Sequence, residues 1–243
     1  MSDIQERLKA IFPIHEQIGK ALIINCDCNE LMKHIKENEF ELACVDPPYG
    51  IGAGGESFKN GSSKSEKPYF KKVCWDGARP DGNYFNELRR VSNHQIIWGG
   101  NYFSDMLPPF RCFISWDKTI HGNSYADCEL AWTSFDKVAR YYRENIAQTN
   151  SEGRIHPTQK SIKLYEWLLT NYAKIGDKIL DTHLGSGSSA IAANNLGFEF
   201  VGVELDVDYY KAACERIYKA TAQDKLFSPI QPAIKPEQCG IFK

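Results

Sequence analysis

No stretch of the chain holds the roughly 20 consecutive apolar residues that a bilayer-spanning helix needs. The start, Met-Ser-Asp-Ile-Gln-Glu-Arg, also lacks the basic-then-apolar order of a secretory signal. A cytoplasmic protein with no membrane partner is expected. No C-x-x-C pair occurs, and the eight cysteines (Cys26, Cys28, Cys44, Cys74, Cys112, Cys128, Cys214 and Cys239) are scattered, several of them inside apolar runs. That distribution predicts reduced, mostly buried thiols and argues against a disulfide framework or a structural zinc site. Charge of neither sign is in excess, the formal net charge being -2. The overall balance therefore advertises no polyanion partner, although a local basic patch would suffice for one. Internal repeats are missing too. With 42% hydrophobic and 25% charged residues in 243, disorder and collagen-like structure are excluded, and one domain (1–243) with a sizeable core and an elaborated insert is expected.

Apolar runs of strand length occur at 21–24, 42–45, 95–98, 112–116, 129–132, 138–142, 178–180 and 200–203. Apolar residues recur three and four apart at 30–36, 84–91, 162–173, 188–196 and 209–220, which predicts helices between them. Strands alternating with helices point to an α/β sheet, mainly parallel and covered on both faces. Two stretches break the rhythm. Residues 50–80 are rich in glycine, serine and lysine and read as a long, mobile loop, and 117–154 reads as an insert. From Ser228 three prolines predict an extended tail over 228–243.

The most legible constellation is Lys178-Ile-Leu-Asp181-Thr-His-Leu-Gly185-Ser-Gly187-Ser-Ser-Ala190, followed by a helix and by Glu199-Phe-Val-Gly-Val-Glu204-Leu205-Asp206. A strand, a glycine turn, a helix and a second strand ending in an acid make a nucleoside-binding βαβ unit. Gly185 and Gly187 would allow close backbone approach, and Glu204 would accept hydrogen bonds from two ribose hydroxyls. The same glycines fit a nicotinamide-dinucleotide fingerprint, which is weak evidence by itself. Asp181 tilts the choice, because an anionic side chain there would repel a pyrophosphate and suit the ammonium of a methionine moiety. S-adenosylmethionine fits better.

Earlier in the chain Glu41-Leu-Ala-Cys-Val45 runs into Asp46-Pro47-Pro48-Tyr49-Gly50. Prolines cannot donate to a strand ladder and restrict the residue before them, so the segment leaves the sheet as a stiff turn. An exocyclic amine, whose lone pair is delocalised into its base, needs two acceptors for its two hydrogens. Asp46 and the Pro47 carbonyl would provide them, and Tyr49 would offer a ring on which a flipped base stacks.

Together Asp46-Pro47-Pro48-Tyr49 and Asp181-x-x-x-Gly185-x-Gly187 resemble the DNA amino-methyltransferases that use S-adenosylmethionine. The catalytic turn precedes the cofactor turn, which is similar to the permuted beta class of that family. The resemblance implies a Rossmann-like seven-stranded methyltransferase sheet, circularly permuted, with an inserted target-recognition region. The chain would enter at the third strand (21–25), continue through the catalytic fourth, and return late with the first and second. His156-Pro-Thr158-Gln-Lys160 is similar to that class's additional cofactor motif, which implies that Thr158 and Lys160 face the cofactor carboxylate or the turn that holds it. Asp27 resembles the acid that bonds the cofactor's adenine amine. Two positions depart from the family's habit: His183 stands where Phe is frequent and Ser188 where Thr is usual, and His183 reads as a solvated or packed turn residue rather than a catalytic base.

The resemblance implies methylation of the N6 amine of adenine in double-stranded DNA with base flipping and no metal. Cytosine N4 is the nearest alternative, and Asp at the head of the turn favours adenine. A non-catalytic cofactor-binding subunit and a nicotinamide oxidoreductase are more distant rivals. A second copy of the chain and a separate restriction endonuclease are further partners the resemblance allows. DNA contact is expected from Lys59, Lys64, Lys67, Lys71 and Lys72, interleaved with Phe58, Tyr69, Phe70 and Trp75, and from Lys118, His121, Lys137, Arg140, Arg143 and Arg154.

Overall fold

Nine strands form one sheet among the residues that the computed structural model describes, 2–52, 76–119, 126–145 and 154–224. They are β1 (His15–Ile18), β2 (Ala21–Asn25), β3 (Phe40–Val45), β4 (Ser92–Trp98), β5 (Phe113–Asp117), β6 (Cys128–Thr133), β7 (Arg140–Arg143), β8 (Lys178–Asp181) and β9 (Glu199–Glu204). The helices are α1 (Asp3–Ile11), α2 (Cys28–Lys33), α3 (Gly82–Val91), α4 (Ile162–Tyr172), α5 (Ser188–Leu196) and α6 (Val207–Asp224).

The apolar runs become strands buried on both faces. In β2, Ala21 and Ile23 join one core while Leu22 and Ile24 join the other, because successive side chains of a strand point to opposite faces. Leu164 and Leu168 of α4, Ile191 of α5 and Ala213 of α6 cover the first face. Leu8 of α1, Leu31 of α2 and Phe85 and Leu88 of α3 cover the second.

The spatial order is β1-β2-β9-β8-β3-β4-β6-β5-β7. β8 and β9, the last strands of the chain, fill the gap between β2 and β3, as the permuted reading requires. All contacts from β2 through β9, β8 and β3 to β4 are parallel, whereas β6 runs antiparallel to both β4 and β5. The seven strands from β2 to β5 make the expected sheet, and β1 and β7 extend its two edges.

The structure departs from the sequence expectations in two ways. α1 and β1 precede the first expected strand. α1 has only Ile4 and Leu8 as buried apolar residues, and it seals the sheet through Gln5, whose amide donates to the carbonyls of Lys20 (2.9 Å) and Phe200 (3.1 Å). The short strands of segment 117–154 join the main sheet: β6 sits between β4 and β5, and β7 pairs with β5. The tail 228–243, and all of loop 50–80 except its ends, lie outside the described residues.

Because β2, β9, β8, β3 and β4 are parallel, their carboxyl ends share one edge of the sheet. At the β8/β3 boundary the chain leaves toward opposite helix layers, α5 on one face and α3 on the other. That divergence opens a crevice, the usual ligand position in open α/β sheets.

Candidate active site

A cavity of about 1080 Å³ lies in this crevice. Its wall includes Asp46, Pro47, Pro48 and Tyr49 from the turn after β3, Thr182 to Ser186 and Ser188 after β8, Glu204 at the end of β9, and Leu205 and Asp206 beyond it. Asp27 and the stretch holding His156, Thr158 and Lys160 complete it. Sequence reasoning therefore brings together nearly every residue it named, with two exceptions.

Asp181 and Gly187 stand behind the wall. Asp181 is 1% exposed; its carboxylate accepts from the Ser189 hydroxyl (2.5 Å) and the His183 N–H (3.0 Å), so it braces the turn instead of facing the ammonium of a ligand. Burial, only partly offset by these bonds, pushes its pKa up to about 7. Gly187 caps α5 at φ +77, and a Cβ there would come 2.9 Å from Ile217 of α6. Its missing side chain serves helix packing, whereas Gly185, at φ +54, lines the cavity.

The acids at the cofactor end are organised by backbone. Glu204 accepts from the N–H groups of Gly185 (2.9 Å) and Asp206 (3.0 Å), and burial pushes its pKa up to about 7. Asp206 accepts from Asp208 and Tyr209 N–H at the start of α6, and Asp27 caps α2 through the N–H groups of Asn29 (2.7 Å) and Glu30 (3.3 Å). Carboxylates with glycine backbone between them suit a ligand that has hydroxyl and amine donors and a positive centre. The residues fit S-adenosylmethionine.

His156 packs edge-on against Tyr209 at 4.6 Å, and its Nδ1 lies 3.2 Å from the Thr158 hydroxyl. Burial and the neighbouring Lys160 and Arg154 charges bring its pKa down to about 4. His183 is likewise held neutral, burial lowering its pKa to about 4, and it meets Tyr84 edge-on at 5.4 Å. Of the two turn readings that the sequence allows, solvated or packed, the packed one is found. Ser188 donates to the Lys160 carbonyl (2.7 Å), which ties the cofactor turn to the 156–160 stretch.

At the other end, Asp46 meets two partners. The Tyr49 hydroxyl donates to Oδ1 at 2.6 Å, and the Lys160 ammonium pairs with Oδ2. Lys160, expected to face the cofactor carboxylate or its turn, instead reaches the catalytic turn. Its side chain is 4% exposed, and it also meets Glu129 at 3.2 Å, which in turn pairs with Lys118 at 2.5 Å. Burial, ahead of the opposing Lys160 charge, leaves the Asp46 pKa raised. Burial also opposes charge on Lys160 and Glu129, but here the partners win: Lys160 is raised by Asp46 and Glu129, and Glu129 is lowered by Lys160 and Lys118.

Sequence reasoning missed three further residues. Asp76, 1% exposed, clamps the Pro-Pro-Tyr turn by accepting from the N–H groups of Tyr49 (2.6 Å), Gly50 (2.9 Å) and Ile51 (3.3 Å). Gly99 has φ +70, and a Cβ on it would lie 2.2 Å from the Tyr49 ring. Tyr102 stacks on that ring at 4.9 Å and 15°. Only the strained glycine position has a sequence signal, the Gly99-Gly100 pair at a strand end.

Of the residues expected to touch DNA, Lys59, Lys64, Lys67, Lys71, Lys72, Phe58, Tyr69, Phe70, Trp75 and His121 lie outside the described residues. Several of the others are engaged within the chain: Lys118 with Glu129, Arg143 with Asp117 (3.0 Å), and Arg154 with the His156 carbonyl (3.2 Å). Lys137 packs over Phe135 and Tyr172 at 5.1 and 5.0 Å. Arg140 is exposed on edge strand β7. Among the described residues no helix is long and apolar enough to cross a membrane, and no group of three or more His, Cys, Asp or Glu gathers to hold a metal.

The chain is similar to the Type II methyltransferase M2.DpnII of Streptococcus pneumoniae, at 24% identity over 82% of this chain and 90% of that protein. It is also similar to the Type II methyltransferase M2.LlaDCHI of Lactococcus lactis subsp. cremoris, at 25% identity over 85% and 92%. Its fold matches the crystal structure of the M1.HpyAVI–SAM complex with a TM-score of 0.53 and 21% identity, over 81% of this chain and 99% of that one. A family model described as DNA methylase, of the N6/N4 methyltransferase type, matches residues 87–215. With more than half of its length matched, on a permuted sheet whose two signature turns meet in one cavity, the chain belongs to the N6/N4 DNA methylase family.

Proposed function

We propose that this chain transfers the methyl group of S-adenosylmethionine to the N6 amine of an adenine flipped out of double-stranded DNA. The observation that carries the reading is the meeting, in one cavity, of the Asp46–Tyr49 turn with the Thr182–Gly185 turn and Glu204. The cofactor supplies a methyl group on a positively charged sulfur. Glu204 and Asp27 would hold its ribose hydroxyls and adenine amine, with the backbone around Gly185 beneath them. Leu205, Asp206, His156, Thr158 and Ser188 would complete that end of the cavity.

Asp46 would accept one hydrogen of the target amine and the Pro47 carbonyl the other, so that the nitrogen lone pair is freed from the ring and directed at the methyl group. As positive charge passes from sulfur to nitrogen, a fixed carboxylate gains in interaction strength, and that difference is catalytic. Tyr49 would stack the base, and Tyr102, which lies on its ring, would have to part from it as the base enters. The hydroxyl of Tyr49 also takes part by donating to Asp46, beyond the ring-face role expected from sequence. Loop 50–80 and the exposed part of 117–154, Arg140 included, are the proposed DNA-contacting and target-recognition segments. The Type II naming of the relatives supports a partner restriction endonuclease, and with the reading go a cytoplasmic location and a second copy of the chain as a further partner. Cofactor-dependent incorporation of labelled methyl groups into a mixed-sequence plasmid tests the reading, and no incorporation would sink it.

Two consequences follow for the cofactor end. Glu204→Ala should weaken S-adenosylmethionine binding by ~1–3 kcal/mol, the cost of lost hydrogen bonds to a charged acceptor. Calorimetric affinity equal to wild type would remove Glu204 from the site. Asp181→Asn, by contrast, should change affinity little and alter the pH dependence of stability. An acid whose folded pKa is raised from 3.8 to about 7 binds its proton more tightly folded than unfolded, so its contribution is full below the lower value and is lost as pH rises toward the upper one. The melting temperature of wild type should therefore fall relative to that of Asp181→Asn across this interval, and parallel melting curves against pH would contradict the assignment.

A further inference from the structure

Two acids and two lysines form a chain of ion pairs through the floor of the cavity: Asp46, Lys160, Glu129 and Lys118. They come from three places, the turn after β3, the start of β6 with the residue after β5, and the stretch before α4. The Lys160 ammonium is 5.2 Å from the Trp98 ring centroid, and its carbonyl is fixed by Ser188. The following residue caps α4, Ser161 accepting from the Leu164 N–H at 3.0 Å. The side chain thus leaves a rigid backbone and ends between two carboxylates, in a position that points away from cofactor chemistry and toward the acid of the catalytic turn.

We propose that Lys160, anchored on Glu129, is a positioning residue that keeps Asp46 an ionised acceptor for the target amine and does not bind the cofactor's carboxylate. The inference rests on the methyl-transfer reading above. Lys160 is the cation that meets Asp46 directly. The other groups that face it are Tyr49 and Cys44 on its own strand and turn, Glu129 from β6, Asp181 from β8, Tyr84 from α3 and Tyr165 from α4. Each of these is neutral or negative in its ordinary state. Burial already favours the protonated carboxyl, and a protonated Asp46 would turn one of its oxygens into a donor and lose the negative charge that strengthens acceptance from the target amine. Glu129 has two effects: it holds the Lys160 ammonium from the side away from Asp46, at 3.2 Å, and as a like charge it opposes ionisation of Asp46.

The two residues therefore have pH effects of opposite sign. Lys160→Met should raise the pH at which single-turnover methyl transfer switches on, so that its rate, cut by about tenfold or more near neutrality, climbs back as pH rises. Lys160→Arg, which retains the charge, should return that acid limb toward its wild-type position. Glu129→Gln should move the limb down. Cofactor affinity measured by calorimetry should stay within about threefold of wild type in all three, a difference under 1 kcal/mol by RT ln K. A rate loss in Lys160→Met that is uniform in pH, an upward shift in Glu129→Gln, or a tenfold fall in cofactor affinity with near-normal transfer at saturation would each overturn the proposal. If Lys160→Met does not fold, as judged by circular dichroism, the sign of the Glu129→Gln shift decides alone. Wild-type protein in the same assay separates the two levels: no transfer by wild type overturns the functional reading itself.

Discussion

Asp46→Ala is expected to bind S-adenosylmethionine with nearly wild-type affinity and to lose methyl transfer by a factor of roughly 10²–10³, the scale found when one preorganised group facing developing charge is removed. The carboxylate sits just after β3, held by the Tyr49 hydroxyl and the Lys160 ammonium, while the acids proposed for the cofactor lie at the ends of β2 and β9 or just beyond them. Alanine also leaves Lys160 facing Glu129 alone, so Asp46→Asn is the companion variant. It preserves shape and one carbonyl acceptor and should be impaired for want of charge. Single-turnover transfer at saturating cofactor measures both, and near-wild-type transfer by folded Asp46→Ala would refute the role.

The second large effect is expected at a cavity residue that has no side chain of its own to offer a ligand. Gly99→Ala puts a methyl group where the Tyr49 ring now lies, 2.2 Å from Cε1, at a backbone φ of +70 that L side chains rarely adopt. Something must shift, and the Tyr49 ring is the nearer group. Displacing it removes the stacking platform and the hydroxyl bond to Asp46 together, so transfer should fall by ~1–3 kcal/mol in activation free energy, the range of one base–aromatic stack, with cofactor affinity unchanged. Tyr49→Ala should behave alike. Tyr49→Phe, which retains the ring and loses the bond, should fall between it and wild type. Equal rates for wild type and Gly99→Ala would show that the position of Tyr49 does not matter to transfer.

Much of this was legible because local chemistry and function coincide. Prolines 47 and 48 stiffen the turn wherever they stand, and a strand–glycine turn–helix followed by Glu204 declares a nucleoside site from spacing alone. The strand runs could be read because a sheet covered on both faces needs uninterrupted apolar segments. What escaped depends on neighbours distant in sequence. Asp76 holds the Tyr49 turn from the far end of the glycine-rich loop, and nothing in its own surroundings says so. Glu129 looks like the polar edge of an apolar strand until the fold sets Lys160 beside it. Asp181 and Gly187 were given ligand roles because motif spacing does not reveal which turn atoms face outward: Ser189 and Ile217 occupy the sides on which a ligand was expected. α1 escaped although Ile4, Leu8 and Ile11 recur at helical spacing, because the run is only nine residues long and its remaining positions are mostly polar.

The central claim is that the Asp46 turn presents an adenine amine to the cofactor's methyl group. It is tested most directly by incubating the protein with duplex DNA and isotopically labelled S-adenosylmethionine, digesting the product to nucleosides and identifying the labelled species by mass. The account predicts N6-methyladenosine in the deoxy series from wild type and none from Asp46→Ala. Label in N4-methylcytosine would contradict the choice of base, and label in neither nucleoside would contradict the activity.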